Sequence, residues 1–68
     1  MKKRYFKMYK GYTGTIEYNA ETREFYGELA NTIEKVKYYA KSLMKLEEAF
    51  HNAVNNYILY RTEIKNNN

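Results

Sequence analysis

The sequence predicts an α+β fold in which three antiparallel strands precede one long C-terminal helix that packs on one face of the sheet. Three observations indicate this β-β-β-α class. Polar and apolar residues alternate through much of the first half, all three glycines lie in that half, and the apolar spacing changes to three and four after Ser42. The 68 residues have room for a single small domain, which we expect to span residues 1–68.

The first two strands form a predicted hairpin between Tyr9 and Leu29. Apolar residues alternate with threonine and glutamate from Tyr12 to Tyr18, and a similar alternation follows on the second arm. This period of two is typical of a half-buried strand. Gly14 and Gly27 each remove a side chain from one arm, so another group must come close there. We expect that group to be the helix.

The segment before the hairpin mixes basic and aromatic residues without a single alternation. We expect residues 1–6 to form a basic arm with a frayed end, and the first strand to begin between Phe6 and Lys10. A β-bulge near Gly11 would reconcile the segment with the strand that follows. Asn19 is well suited to the turn between the first two strands.

A third strand is predicted from Lys35 to Tyr39, with Val36 and Tyr38 facing the core. Ser42 is a suitable N-cap for the helix that follows. The apolar residues of that helix cover an arc of about 100°, the width expected of a helix lying on a sheet. Residues 65–68 form a polar tail that should fray. The predicted apolar stripe consists of Leu43, Leu46, Phe50, Ala53, Val54 and Tyr57.

The composition limits the classes of site that the chain can hold. It has no cysteine and a single histidine, His51, so neither a disulfide nor a zinc site is expected. A domain this small gains stability most readily by self-association. The lack of cysteine, and of any apolar run long enough for a signal peptide or membrane span, favours a cytoplasmic protein without membrane contact.

The chain offers little for catalysis. A two-metal site needs converging carboxylates, and the strand glutamates Glu17 and Glu28 belong to the face opposite the glycines and core residues. His51 has no nearby cysteine, serine or aspartate with which to form a catalytic pair. The glycines are not clustered as a phosphate-binding loop requires. We therefore expect a binding protein that is not an enzyme and holds no cofactor or metal.

A series of short motifs follows the chain, namely Tyr9–Gly14, Ile16–Tyr18, Phe25–Gly27, Leu46, Ala49–His51, Val54 and Tyr57. Together they resemble the HicB antitoxin family, and the resemblance runs without a gap from Tyr9 to about Tyr60. It implies a partial RNase H-like fold, with three antiparallel strands and a helix, often with a fourth short strand, and no catalytic activity. It also implies that the protein binds HicA, a small ribonuclease toxin, and covers its active surface.

The chain also departs from this family. Many members carry a C-terminal DNA-binding domain that represses their own operon, and it would begin where this chain ends, at Asn68. If the sequence is complete, autorepression by that route is not expected. Residues that are often glycine in the family, or that help to start its helix, are replaced here by Arg23, Asn31, Ala40, Lys41 and Lys45.

We consider three hypotheses for what the protein binds, and each one assigns particular residues to the contact. The antitoxin hypothesis places the toxin contacts on outward side chains, namely Glu17, Glu24, Glu28 and Tyr26. The second hypothesis is a homo-oligomer, a dimer or larger, that pairs through open sheet edges and exposed side chains, namely Tyr39, Leu59 and Tyr60. A single exposed leucine is nevertheless ordinary.

The third hypothesis is a nucleic-acid-binding module. The formal net charge is +4, and its excess lies in five of the twelve cations, which precede the first glutamate. Nine tyrosines could stack on unpaired bases beside them. The alternative for the same cations is a solvated tail. The cations concerned are Lys2, Lys3, Arg4, Lys7 and Lys10.

Overall fold

The computed structural model describes residues 3–66 and has an α+β fold with one antiparallel sheet and one C-terminal helix. The predicted sheet and helix are confirmed, but the prediction of three strands is wrong because a fourth strand extends the sheet. The strand order is β1-β2-β3-β4. The elements are β1 (Arg4–Tyr5), β2 (Thr15–Asn19), β3 (Glu24–Glu28), β4 (Lys37–Ala40) and the helix α1 (Leu43–Asn66).

The added strand lies within residues 1–6, which the sequence indicates as a basic arm. Arg4 and Tyr5 pair with Ile16 and Thr15 of β2. This part of the arm is thus one side of a hairpin, which we call the N-terminal hairpin (residues 4–19). Residues 1 and 2 lie outside the described residues, so the frayed end predicted there is not tested.

Lys10 and Gly11 form the turn of the N-terminal hairpin. Their φ angles are 52° and 85°, and positive φ at both central residues is typical of the type I′ turn that joins two strands. Tyr9 and Tyr12 flank the turn and exchange backbone hydrogen bonds of 2.8 and 3.0 Å. Gly11 therefore serves a tight turn, and the bulge predicted near it lies elsewhere.

That bulge is at Lys7–Met8. The amide of Phe6 donates to the carbonyl of Gly14 at 2.9 Å, whereas Tyr9 pairs with Tyr12. The register therefore shifts by one residue between these pairings, and two residues of the first strand fit against one of the second, which defines a β-bulge. This shift explains the irregular alternation of the segment.

The β2–β3 hairpin closes as expected around Asn19. Its side-chain oxygen accepts hydrogen bonds from the amides of Glu21 and Thr22, at 2.9 and 3.4 Å. The turn ends at Arg23, whose φ of 58° lies in the left-handed region. The turn prediction for Asn19 is confirmed.

The third predicted strand is β4, which begins at Lys37 instead of Lys35. Val36 and Tyr38 contact the core, as predicted. The hydroxyl of Ser42 accepts a hydrogen bond from the amide of Lys45 at 3.2 Å, so Ser42 is the N-cap of α1. The helix continues through Lys65 and Asn66, which the sequence assigns to the frayed tail. Residues 67–68 lie outside the described residues.

The core lies between α1 and the sheet, and four of its six buried apolar residues belong to the helix. The helical spacing in the sequence identifies all four. Leu43, also placed in the stripe, is 46% exposed because it stands at the first residue of α1. Within residues 3–66 no helix is long and apolar enough to cross a membrane. The buried apolar residues are Leu29, Tyr38, Leu46, Phe50, Val54 and Tyr57.

Gly14 and Gly27 make room for the ring of Tyr38, and the expectation that the helix fills this space is wrong. A Cβ at Gly14 would overlap the Tyr38 hydroxyl. A Cβ at Gly27 would lie 2.8 Å from Cε1 of the same ring and would overlap the carbonyl of Thr15. The Tyr38 ring lies between these glycines and Phe50 of α1, with ring centroids 5.8 Å apart.

Candidate protein-binding surface

The sheet face opposite α1 carries no other described element, and the residues predicted to contact a partner meet there. Glu17 of β2, Tyr26 of β3 and Tyr39 of β4 are direct cross-strand neighbours. Tyr39, which the sequence assigns to an oligomer contact, therefore joins the candidate toxin contacts. We call the outer face the set formed by Glu17, Glu24, Tyr26, Glu28, Lys37 and Tyr39.

Each glutamate of the outer face has a lysine beside it. The Nζ of Lys3 lies 3.9 Å from Oε2 of Glu17, and the Nζ of Lys41 lies 3.6 Å from Oε2 of Glu24. Glu28 is the cross-strand neighbour of Lys37. Exposed pairs of this kind contribute about 0–1 kcal/mol to stability, but they offset the charge. The outer face is therefore mixed in charge, which the sequence does not reveal because the lysines come from distant segments.

Two tyrosines give the outer face its apolar area. The Tyr26 hydroxyl donates to Oε1 of Glu17 at 3.5 Å. The neighbouring Tyr39 is 60% exposed. Tyrosine is enriched at protein interfaces because it combines a large apolar ring with a polar tip. A shallow depression of about 200 Å³ lies between the two rings, lined also by Glu17, Asn19, Gly27, Glu28 and Lys37.

The candidate nucleic-acid contacts are not brought together into one patch. Lys3 pairs with Glu17 on the outer face, whereas the Nζ of Lys10 donates to Oδ1 of Asn55 on α1 at 2.8 Å. Arg4 is exposed in β1, and Lys7 is exposed at the bulge. Lys2 lies outside the described residues.

The candidate oligomer contacts divide into two groups. Tyr39 and Tyr60 both line a groove of about 580 Å³ that is formed by residues of β4 and α1. Leu59 is 60% exposed but does not line this groove. We call the groove between β4 and α1 the edge groove, because β4 is an outermost strand of the sheet. Its other lining residues, which the sequence does not assign to an oligomer contact, include Val36, Ala49, Asn52, Ala53 and Asn56.

A hydrogen bond joins two further residues that line the edge groove, Tyr57 and Glu34. The Tyr57 hydroxyl donates to Oε1 of Glu34 at 2.6 Å. This bond lowers the pKa of Glu34 below its ordinary value of 4.5, and it raises the pKa of the Tyr57 hydroxyl. Arg61 donates to the Tyr12 hydroxyl at 3.1 Å and lies over the Tyr57 ring.

His51 has a packing environment. Its ring stacks on Tyr9 with centroids 4.0 Å apart and lies 5.4 Å from the ring of Phe50. Among the described residues, no three His, Cys, Asp or Glu side chains are grouped so that they could hold a metal ion. In comparisons with known proteins, the chain matches no family model, no curated protein and no solved structure.

Proposed function

We propose that this protein is a HicB-like antitoxin that binds a small HicA-type ribonuclease toxin through its outer face and blocks it in the cytoplasm. The observation that carries the proposal is the row formed by Glu17, Tyr26 and Tyr39, which runs across three strands on the uncovered side of the sheet. The family itself comes from the sequence resemblance, and the partial RNase H-like fold belongs to the same proposal.

The charge arrangement of the outer face fits a partner with a cationic, RNA-facing surface. Lys3 and Lys41 hold Glu17 and Glu24 in exposed pairs, which cost little to separate. Cations of the toxin can therefore replace these lysines without leaving a buried carboxylate unpaired. The affinity would then come mainly from the tyrosine rings, because aromatic residues near the centre of an interface carry most of the binding energy.

The proposal is tested by co-expressing the chain with the product of the adjacent gene. We expect a stable complex on co-purification and relief of growth arrest. Tyr26→Ala should weaken the complex by about tenfold or more, which corresponds to about 1.4 kcal/mol. Glu17→Lys should weaken it as well, because it places a cation against the cationic partner.

Leu59→Ala is the matched control for these variants. Leu59 is exposed on α1, on the other side of the sheet from the outer face, so its loss should leave the complex and the growth phenotype unchanged. The absence of any complex with the neighbouring product would contradict the antitoxin proposal. Binding by Tyr26→Ala that equals the wild type would contradict the assignment to the outer face.

A further inference from the structure

We propose that two copies of the chain pair through the open edge of β4, so that their sheets join into one continuous sheet and their helices pack together in the edge groove. This inference is independent of the toxin proposal, because a dimer of this kind leaves both outer faces uncovered. It rests on the backbone of β4, on the positions of its lysines and on the helix residues beside it.

The backbone of β4 presents free hydrogen-bonding groups at the open edge. The amide of Leu29 donates to the carbonyl of Val36 at 2.9 Å. Bonding residues alternate along an antiparallel ladder, so Val36, Tyr38 and Ala40 direct their backbone groups toward β3. Lys37 and Tyr39 direct theirs away from the sheet. Such an edge is a template for another strand.

The lysines select one register for two-fold pairing. With the two-fold axis at Tyr38, Lys37 of each copy lies opposite Tyr39 of the other, and each such pair exchanges two backbone hydrogen bonds. The neighbouring symmetric registers place Lys37 opposite Lys37, or Lys37 opposite Lys41, and like charges directly opposite are destabilising. In the selected register the Lys37 ammonium instead reaches a tyrosine ring.

At the ends of the same register, Lys35 faces Lys41 of the second copy. The electrostatic repulsion between these two lysines is weakened at each of them. Lys35 precedes β4 and is exposed, and Lys41 is paired with Glu24 at 3.6 Å. The same Glu24 pairing of Lys41 also weakens the Lys37–Lys41 repulsion in the neighbouring register. The register is therefore decided by the two central Lys37–Tyr39 pairs, which only the selected register forms.

The helix beside the edge groove presents a seam that fits a second helix. Ala49, Ala53, Asn56 and Tyr60 line the groove at spacings of four, three and four, which is the repeat of packed helices. The two-fold axis places the second α1 antiparallel to the first on the same side of the joined sheet. A lone peptide strand on β4 would leave this groove empty, so the groove favours a second copy of the chain.

The spacing of the helices is compatible with this arrangement. Because α1 contacts both β3 and β4, we place its axis midway between them, which is about 2.4 Å inside β4 when strands are about 4.8 Å apart. The two-fold axis lies about 2.4 Å outside β4, so with this placement the two helix axes are about 10 Å apart. Helices pack at about 8–10 Å, and small residues such as Ala49 and Ala53 permit close approach.

The first test removes the outward amide of β4. Tyr39→Pro deletes the amide that donates across the dimer but none that β3 uses, and Tyr39→Val is the matched control that keeps the amide. We expect sedimentation analysis to show a wild-type dimer at micromolar concentration. The proline variant should raise its dissociation constant by about tenfold or more, since hydrogen bonds are lost at both symmetric pairs, while its circular dichroism stays that of the wild type.

The second test checks the register by disulfide cross-linking. The chain has no cysteine of its own, so only the introduced cysteines can form a disulfide. In the proposed dimer Val36 faces Ala40 of the second copy, with Cα atoms about 4.5 Å apart, within disulfide range. Within one chain the same positions are about 13 Å apart. The double variant Val36→Cys/Ala40→Cys should therefore form covalent dimers on oxidation, and neither single variant should.

Three results would overturn the proposal. The first is a wild-type chain that stays monomeric at high micromolar concentration. The second is a dimer that Tyr39→Pro and Tyr39→Val affect equally. The third is a dimer in which the double cysteine variant does not cross-link. Capture of a foreign strand by β4 in a chain that remains monomeric would assign the edge to another partner.

Discussion

Tyr38 of β4 contacts residues of both β2 and β3. Its ring rests on two glycines, and its hydroxyl donates to the carbonyl of Thr15 at 2.9 Å. The Thr15 hydroxyl in turn accepts the amide of Glu28 at 3.0 Å, so side chains take over bonds that a backbone ladder normally makes. Burial raises the pKa of the Tyr38 hydroxyl above its ordinary value of 10.0, which keeps it a donor.

The first prediction concerns the contact between Tyr38 and Gly14. Gly14→Ala should lower the free energy of unfolding by about 2–3 kcal/mol, because the new methyl group would overlap the Tyr38 hydroxyl. Tyr38→Phe should cost about 1–3 kcal/mol by leaving the Thr15 carbonyl without its donor. The double variant should cost at least about 1 kcal/mol less than the sum of the single variants, since the phenylalanine removes the overlapping atom.

Gly27→Ala is the control for this cycle, measured by urea unfolding of all variants. Its Cβ would overlap the carbonyl of Thr15, a backbone group that Tyr38→Phe does not remove. Coupling with Tyr38→Phe should therefore be smaller at Gly27 than at Gly14. If the changes in unfolding free energy of Gly14→Ala and Tyr38→Phe are additive, the Tyr38 hydroxyl is not the group that excludes a side chain at position 14.

Among the structural elements, the turns carry unusual backbone angles. Arg23 and Lys10 have φ angles of 58° and 52°, and a side chain in the left-handed region costs about 1–2 kcal/mol relative to glycine. Lys10 gains a hydrogen bond from its position, to Asn55 at 2.8 Å. Arg23 is exposed and has no comparable contact among those described.

The second prediction follows for the β2–β3 turn. Arg23→Gly should raise the free energy of unfolding by about 0.5–1 kcal/mol, because glycine adopts positive φ without strain but is freer in the unfolded chain. Arg23→Ala keeps a Cβ and should bring no gain. Thermal unfolding of both variants checks this, and an equal gain in the two would mean that the arginine side chain, and not its φ angle, is unfavourable.

The elements differ in how far the sequence predicts them. The buried positions of α1 follow from spacing alone. The residues on one face of a helix recur every three or four positions in the sequence, whichever segment the helix packs against. β1 was missed because its alternation is broken by the bulge at Lys7–Met8 and its turn begins with a lysine instead of the usual asparagine or glycine.

The candidate site was predictable only in part, for a physical reason. Alternation places Glu17, Tyr26 and Glu28 on one face, and the structure puts them there. The lysines that pair with these glutamates depend on which strands become neighbours and in which register, which no single segment encodes. Likewise, Gly14 and Gly27 indicate that some group comes close, but not that it is Tyr38.

At the scale of the whole molecule, side-chain contacts fasten distant segments to α1. Tyr57 bonds to Glu34 in the β3–β4 connection, and Arg61 bonds to Tyr12 in the N-terminal hairpin. The molecule measures 44 × 21 × 17 Å, because a helix of 24 residues is about 36 Å long and exceeds the strands. These contacts hold the part of the helix that the strands alone do not cover.

The third prediction concerns the pH dependence of the Tyr57–Glu34 bond. The pKa of Glu34 is lowered in the folded protein, so the bond stabilises the fold fully above pH 4.5, the ordinary pKa of this group, and is lost as the pH falls through the lower, folded pKa. NMR titration should find Glu34 below 4.5 in the wild type and closer to 4.5 in Tyr57→Phe.

Unfolding experiments give the matching stability result. The difference in unfolding free energy between wild type and Tyr57→Phe should shrink as the pH is lowered below the folded pKa of Glu34. Glu34→Gln serves as the control, because a neutral amide cannot titrate and its stability should show less dependence on pH in this range. A Glu34 pKa that is the same with and without the Tyr57 hydroxyl would contradict the bond.

The uneven division of the core between sheet and helix has a consequence for synthesis on the ribosome. Leu46, Phe50, Val54 and Tyr57 fill most of the core and come from the last third of the chain. Each hairpin can close locally while translation continues, but the apolar face of the sheet stays open until these residues have left the ribosome. The nascent chain therefore completes its core only once α1 has emerged, and until then its exposed strands are available to chaperones and to aggregation.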